Sequence, residues 1–164
     1  MHSPVPLEPA LAAFITSRLS IQVAASDGHG LASLVRAVGC RVSADRCRVT
    51  VLVSRSQAAP VLAGVAANGM LAAVFNEPES HRTVQLKGRD ACVEVATAED
   101  EAALVPYAAD FSGRLAVFRV PEAYVRTLVS CAPGDLVAIS FTPSEAYGQT
   151  PGPRAGMRLE GGQP

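Results

Sequence analysis

Residues 33–56 read SLVRAVGCRVSADRCRVTVLVSRS. Within them CRVTVLV, 47–53, alternates cleanly, with Cys47, Val49, Val51 and Val53 on one face and Arg48 and Thr50 on the other, the period of a half-buried strand. SADR, 43–46, is a turn signal, and the run before it is strand-like too. That run carries Arg36 and Arg41, and an odd spacing on a regular strand points two side chains to opposite faces. Gly39 lies between them, and glycine inside a strand pattern marks a candidate bulge. One extra residue there would turn both guanidinium groups to the same side, as an anionic ligand would require. Two solvated strand arginines are the alternative.

Working outward, LSIQVAAS (19–26) precedes this stretch and is joined to it through the turn DGHG (27–30), so three successive antiparallel strands are predicted to form a meander. Before them, PALAAFITSR (9–18) suits a short helix with Pro9 in its first turn and Leu11, Phe14 and Ile15 on one face. After them the spacing turns helical. Ala58, Val61, Leu62 and Val65 line one side, Ser56 is a candidate N-cap, and Gly69 is placed to end the helix.

MLAAVF (70–75) reads as a short buried strand, and HRTVQLKGRDACVEV (81–95) as a long one whose apolar phase shifts at Gly88, a second candidate bulge. Thr97 followed by Glu99, Asp100 and Glu101 is a helix start. Pro121 opens another helix, with Tyr124, Val125, Leu128 and Val129 as its apolar side, and DLVAISFTP (135–143) is the last strand. The chain is mainly β with peripheral helices, and long bulged antiparallel strands point to a curled sheet closing as a barrel. Residues 1–147 are expected to form this single domain and 148–164, rich in Gly and Pro, an irregular arm or tail.

The net charge of −1 leaves no basic footprint for nucleic acid. Of the 14 basic residues only Lys87 is lysine, and arginine is the side chain suited to bidentate phosphate or carboxylate contacts. Cys40, Cys47, Cys92 and Cys131 form no C-x-x-C pair and no zinc-like spacing, so buried thiols and no metal site are expected. ALAAFI is too short for a signal or membrane helix, which places the protein in the cytoplasm, away from membranes. His29 and His81, in a turn and at a strand start, read as solvated side chains, with metal or haem ligation as the alternative.

A second anion signal is SRS, Ser54 to Ser56, between a strand and a helix. The first N–H groups of a helix are unpaired and carry partial positive charge, so such a junction can seat a phosphate. Ser54 and Ser56 add hydroxyls and Arg55 a charge-assisted pair. An ordinary helix cap is the alternative.

Three elements in order resemble the FMN-binding split barrels of the pyridoxamine 5′-phosphate oxidase-like superfamily, in a bacterial branch of it. RAVGCR, Arg36 to Arg41, matches that family's R-x-V-x-x-[KR]; SRS matches S-R-[KS]; HRTVQLKG matches a third strand that runs into a glycine. The resemblance covers roughly residues 19 to 95. It implies a split, Greek-key-like antiparallel β-barrel, homodimeric, with FMN at the subunit interface. It also implies that Arg36, Arg41, Ser54 and Arg55 hold the FMN phosphate, with Ser56 standing where lysine is common. Backbone at Ala37 and Val38 would run along the isoalloxazine ring; Arg82 and Thr83 match the start of the third strand as cofactor-binding residues, Thr83 at a position used near the flavin, with Arg82 merely flanking the barrel as the alternative. The chain lacks tryptophan, and its last portion carries FTPSEAYGQTPGPRAG (141–156) rather than an aromatic-rich substrate signature, so a true pyridoxamine phosphate oxidase is not expected. What remains is an FMN-dependent oxidoreductase of unknown small-molecule substrate. The alternative is a non-catalytic barrel that has lost flavin or holds haem or another cofactor.

Overall fold

A computed structural model describes residues 5–159. Helix α1 (Pro9–Ile15) has proline in its first turn and buries Leu11, Ala12, Phe14 and Ile15. It stops earlier than the apolar spacing suggests. The hydroxyls of Thr16 and Ser17 donate to the carbonyls of Ala12 and Phe14, and Arg18 takes φ 60°, a conformation that ends a helix. Strands β1 (Ser20–Ser26) and β2 (Ala32–Ala37) then pair antiparallel, with Gln22 opposite Arg36.

The expected meander divides at this point. The chain leaves the first sheet after Ala37, and β3 (Gly39–Val42) belongs to a second sheet, where it pairs with β4 (Val49–Ser54). Gly39 is therefore the corner at which a strand switches sheets, not a bulge within one strand. The Val38 N–H donates to the Leu52 carbonyl at 2.7 Å, and a Cβ on Gly39 would lie 2.9 Å from Leu52 Cδ1. Glycine lets the corner close onto β4.

Helix α2 (Arg55–Asn68) follows β4 directly. Its N-cap is Ser54 rather than Ser56, and Gly69 ends it at φ 67°, the left-handed cap that glycine adopts without strain. Strand β5 (Leu71–Asn76) returns to the first sheet and pairs with β1 and with β6 (Thr83–Gly88). The long strand expected at 81–95 is then broken by a second switch, because β7 (Cys92–Val95) pairs in the other sheet. A Cβ on Gly88 would lie 2.6 Å from Phe141 Cδ2 and 2.9 Å from the Thr142 carbonyl oxygen.

Helix α3 (Ala98–Ala102) carries the capping box foreseen at Thr97, with Asp100 as its reciprocal partner. Helices α4 (Leu104–Ala116) and α5 (Glu122–Leu128) follow. On α5, Val125 and Val129 are buried, but Tyr124 and Leu128, assigned above to the same apolar side, are exposed. Strand β8 (Leu136–Phe141) lies between β4 and β7, and a third switch carries the chain into β9 (Glu145–Gly148) of the first sheet. The boundary expected at residue 148 falls inside β9. Part of the supposed tail folds back as β10 (Met157–Arg158), which pairs with Gly148 and Tyr147; residues 160–164 lie outside the described residues.

The result is a six-stranded sheet ordered β10-β9-β6-β5-β1-β2 and a four-stranded sheet ordered β3-β4-β8-β7, antiparallel throughout. Among the described residues no strand pairing joins the two sheets, so the barrel is split rather than closed. Ile21, Val23, Phe75 and Leu86 of one sheet and Val51, Ile139 and Phe141 of the other are completely buried. Both faces of β4 and β8 are covered. Thr50, which alternation places on an open face, is 2% exposed; its hydroxyl is 2.8 Å from that of Ser140, which donates to Glu94. Pairing of this kind offsets the cost of burying the hydroxyl. Among the described residues no helix is long and apolar enough to cross a membrane.

Candidate functional site

The six-stranded sheet buries one face, and its other face stays half-buried from Ser20 to Tyr147. Register places one row of directly opposed residues across that outer face: Arg36, Gln22, Val74, Gln85, Tyr147 and Arg158. At the usual strand spacing the row from Arg36 to Tyr147 spans roughly 19 Å, the reach of a sizeable planar molecule. A second row beside it runs Leu34, Ala24, Ala72, Lys87 and Glu145. Small side chains in its middle leave a shallow trough.

Arg36 Nη1 donates to Ser20 Oγ at 3.0 Å, and Gln22 Nε2 donates to the same oxygen at 3.2 Å. Among the described residues Arg36 makes no ion pair. It is a cation held by a hydroxyl among amides and small side chains. At the other end Tyr147 donates to Glu145 at 2.5 Å and Lys87 Nζ sits 4.8 Å from the Tyr147 ring centroid. That hydrogen bond holds the Tyr147 phenol above its ordinary pKa and the Glu145 carboxyl below.

Arg41 stands in the other sheet. Its Nε and Nη2 donate to the two carboxylate oxygens of Asp100 at 2.8 and 3.4 Å, and the Thr97 N–H donates to Asp100 at 3.0 Å. Burial raises the Asp100 pKa, but these donors outweigh it and hold the carboxyl below its usual range. The guanidinium assigned to a ligand phosphate is thus committed to an aspartate of its own chain.

The Ser54–Ser56 junction does open a helix, and it too is met from within. Ala132 to Asp135 form a turn closed by Asp135 N–H to Ala132 carbonyl at 3.0 Å, with Gly134 at φ 76°. Pro133 and Gly134 suit its two central positions. The turn delivers Asp135, whose carboxylate accepts from Ser56 N–H at 3.0 Å, from Ser56 Oγ at 2.7 Å, and from Ser54 Oγ. The Asp135 carbonyl accepts from Arg55 N–H at 2.7 Å. Hydrogen bonds from Ser54 and Ser56, with the Arg55 charge adding, lower the Asp135 pKa. Asp135 has no distinctive sequence pattern beyond APGD, whose Pro-Gly pair marks the turn but not its target.

Ala37 and Val38 are buried in the core. The Arg82 guanidinium carbon lies 4.0 Å from the centroid of the Phe14 ring, a packing role. Thr83 is on the outer face, where its Oγ1 accepts from Asn76 at 2.8 Å. Burial pushes the Cys40 thiol up to about 12 against the opposing pull of Arg41; Cys40 lines a cavity of about 170 Å³ with Ile15, Ile21 and Tyr107. Among the described residues no group of three His, Cys, Asp or Glu is arranged to hold a metal.

The resemblance implies FMN, and the fit divides by residue. Arg36, Gln22, Thr83 and Gln85 offer donors and acceptors on an open face and suit a flavin ring. Arg41, Ser54, Arg55 N–H and Ser56 already have carbonyl or carboxylate partners and do not form a free phosphate cradle.

No protein-family model matches the sequence, and no curated protein matches it. Solved structures do match. HupZ of Group A Streptococcus superposes with a TM-score of 0.54 at 15% identity, over 92% of this chain and 100% of that one. A proposed pyridoxamine 5′-phosphate oxidase from Lactobacillus delbrueckii gives 0.50 at 12% identity, over 87% and 93%. Two antiparallel sheets that exchange strands at three corners, with helices at the periphery, give this chain a split-barrel fold like that of these two structures.

Proposed function

We propose that this chain is a flavin-binding oxidoreductase for a small molecule, and that its cofactor lies on the outer face of the six-stranded sheet between two copies of the chain. The observation that carries the reading is Arg36, a guanidinium with no carboxylate partner among the described residues, at the head of a cross-strand row of amides and small side chains. Arg36, Gln22 and Gln85 would donate to the carbonyl edge of the ring system, and Val74 would contact its apolar middle. A second copy would cover the face and exclude water. Leu34, 68% exposed beside Arg36, is the kind of surface such a partner covers.

The flavin supplies the redox chemistry and the protein supplies orientation and electrostatics. The visible spectrum of the purified protein, before and after addition of FMN, tests the proposal. A two-banded flavin spectrum or saturable binding of added flavin supports it. A Soret band assigns the barrel to haem instead, and a colourless protein that ignores flavin reduces it to a module without this cofactor.

A further inference from the structure

We propose that the site recognises a flavin without a phosphate cradle, so that riboflavin binds about as well as FMN; this rests on the flavin reading above. Of the phosphate anchors implied by the sequence resemblance, Arg41 and the Ser54 and Ser56 hydroxyls are taken by two carboxylates of the same chain, and the Arg55 charge acts on one of them, Asp135. At the start of α2, Asp135 takes the positions a phosphate oxygen would take: it accepts from Ser56 N–H, from Ser56 Oγ at 2.7 Å and from Ser54 Oγ. The Pro133–Gly134 turn presents it from the chain itself. A tethered group is at its partner at any ligand concentration, so an incoming phosphate faces an intramolecular rival. It would also meet a carboxylate of like charge, which disfavours a second anion.

The second anchor is closed for a different reason. Arg41 cannot turn toward a ligand without leaving Asp100, which is 2% exposed, without its cation. Removing the partner of a buried charge is strongly unfavourable. Of the two arginines implied as phosphate ligands through the first motif, Arg36 makes no ion pair among the described residues, and its hydrogen bond is to Ser20 on the outer face rather than to the Ser54–Ser56 junction. The contacts left to the ligand are those to its ring system.

The test compares FMN, riboflavin and inorganic phosphate on the full chain. Wild type is expected to bind the two flavins within about threefold of each other, a difference well under the tenfold that one good interaction contributes. Phosphate should raise its melting temperature no more than chloride at equal ionic strength. Asp135→Ala should gain a phosphate-specific rise. FMN tighter than riboflavin by about tenfold or more in wild type, with Ser56→Ala erasing the advantage, overturns the proposal. So does a phosphate-specific rise in wild type, or the lack of any gain in Asp135→Ala. If neither flavin binds, the flavin reading falls by itself, and the phosphate titration still decides whether Asp135 fills the seat.

Discussion

Arg41 and Asp100, 59 residues apart, join β3 to the start of α3 through a two-pronged ion pair of 2.8 and 3.4 Å. Asp100 also completes the capping box with Thr97, so one carboxylate serves two structural tasks. Arg41→Ala should destabilise the fold by about 3 kcal/mol, because it strands a buried carboxylate. Asp100→Ala should cost less, about 2 kcal/mol, since the guanidinium it leaves is 44% exposed and water can solvate it. The pH dependence has a definite sign. The folded-state pKa of Asp100 is depressed, so the pair stabilises above the unfolded value of about 3.9 and its contribution is lost as pH falls through the lower folded value. Urea unfolding of wild type and Arg41→Ala should show a gap at pH 7 that narrows below pH 4; a gap independent of pH would refute the role given to Asp100.

The two corner glycines should respond differently to alanine. At Gly39 the new methyl meets the flexible end of Leu52, whereas at Gly88 it meets the Phe141 ring and the Thr142 carbonyl. Gly88→Ala should cost about 2–3 kcal/mol and Gly39→Ala under about 1 kcal/mol, following the usual range for overpacking. Thermal or urea denaturation of the two variants measures the order directly. Equal costs would count against the tighter second corner.

The assembly proposed through the outer sheet face would put Val74 near the middle of the interface, in the row between Gln22 and Gln85. Sedimentation at micromolar concentration should show a dimer for wild type and a monomer for Val74→Arg, with the far-ultraviolet circular dichroism spectrum unchanged. A desolvated, unpaired charge at an interface centre is strongly unfavourable. Only monomer in wild type would count against both the assembly and a shared site.

Arg36→Ala should weaken FMN and riboflavin alike, each by about tenfold, the loss of roughly one charge-assisted hydrogen bond. The unfolding midpoint should scarcely move, since among the described residues the hydrogen bond lost is the one to the part-buried Ser20 hydroxyl. Flavin fluorescence quenching gives the affinities. A loss confined to FMN would mean that Arg36 grips phosphate after all.

Cys40 should be the slowest thiol to alkylate in the folded protein. Its pKa of about 12 leaves almost no thiolate at pH 8, and the thiolate is the reactive form. Timed iodoacetamide labelling followed by peptide mapping should find exposed Cys92 modified well before Cys40. Early labelling of Cys40 would mean that the small cavity beside Tyr107 opens in solution.

Sequence alone determined the local elements of this protein. Alternation marked β4, the Thr97 box marked the start of α3, Gly69 marked the end of α2, and three short motifs in order pointed to the split barrel. Each of these signals is written within a few consecutive residues, where backbone geometry and hydrogen-bonding reach act directly. Gly39 and Gly88 were legible as interruptions, but a bulge and a change of sheet have the same local pattern. Only the strands that pair beyond each glycine, β3 with β4 and β7 with β8, tell them apart. The site was less legible than the fold, for the same reason. That Arg41 and the Ser54–Ser56 junction answer to Asp100 and Asp135 depends on partners 59 to 81 residues away. An arginine or a helix start displays the same chemistry to a ligand as to an aspartate of its own chain, and tertiary structure alone decides which anion arrives.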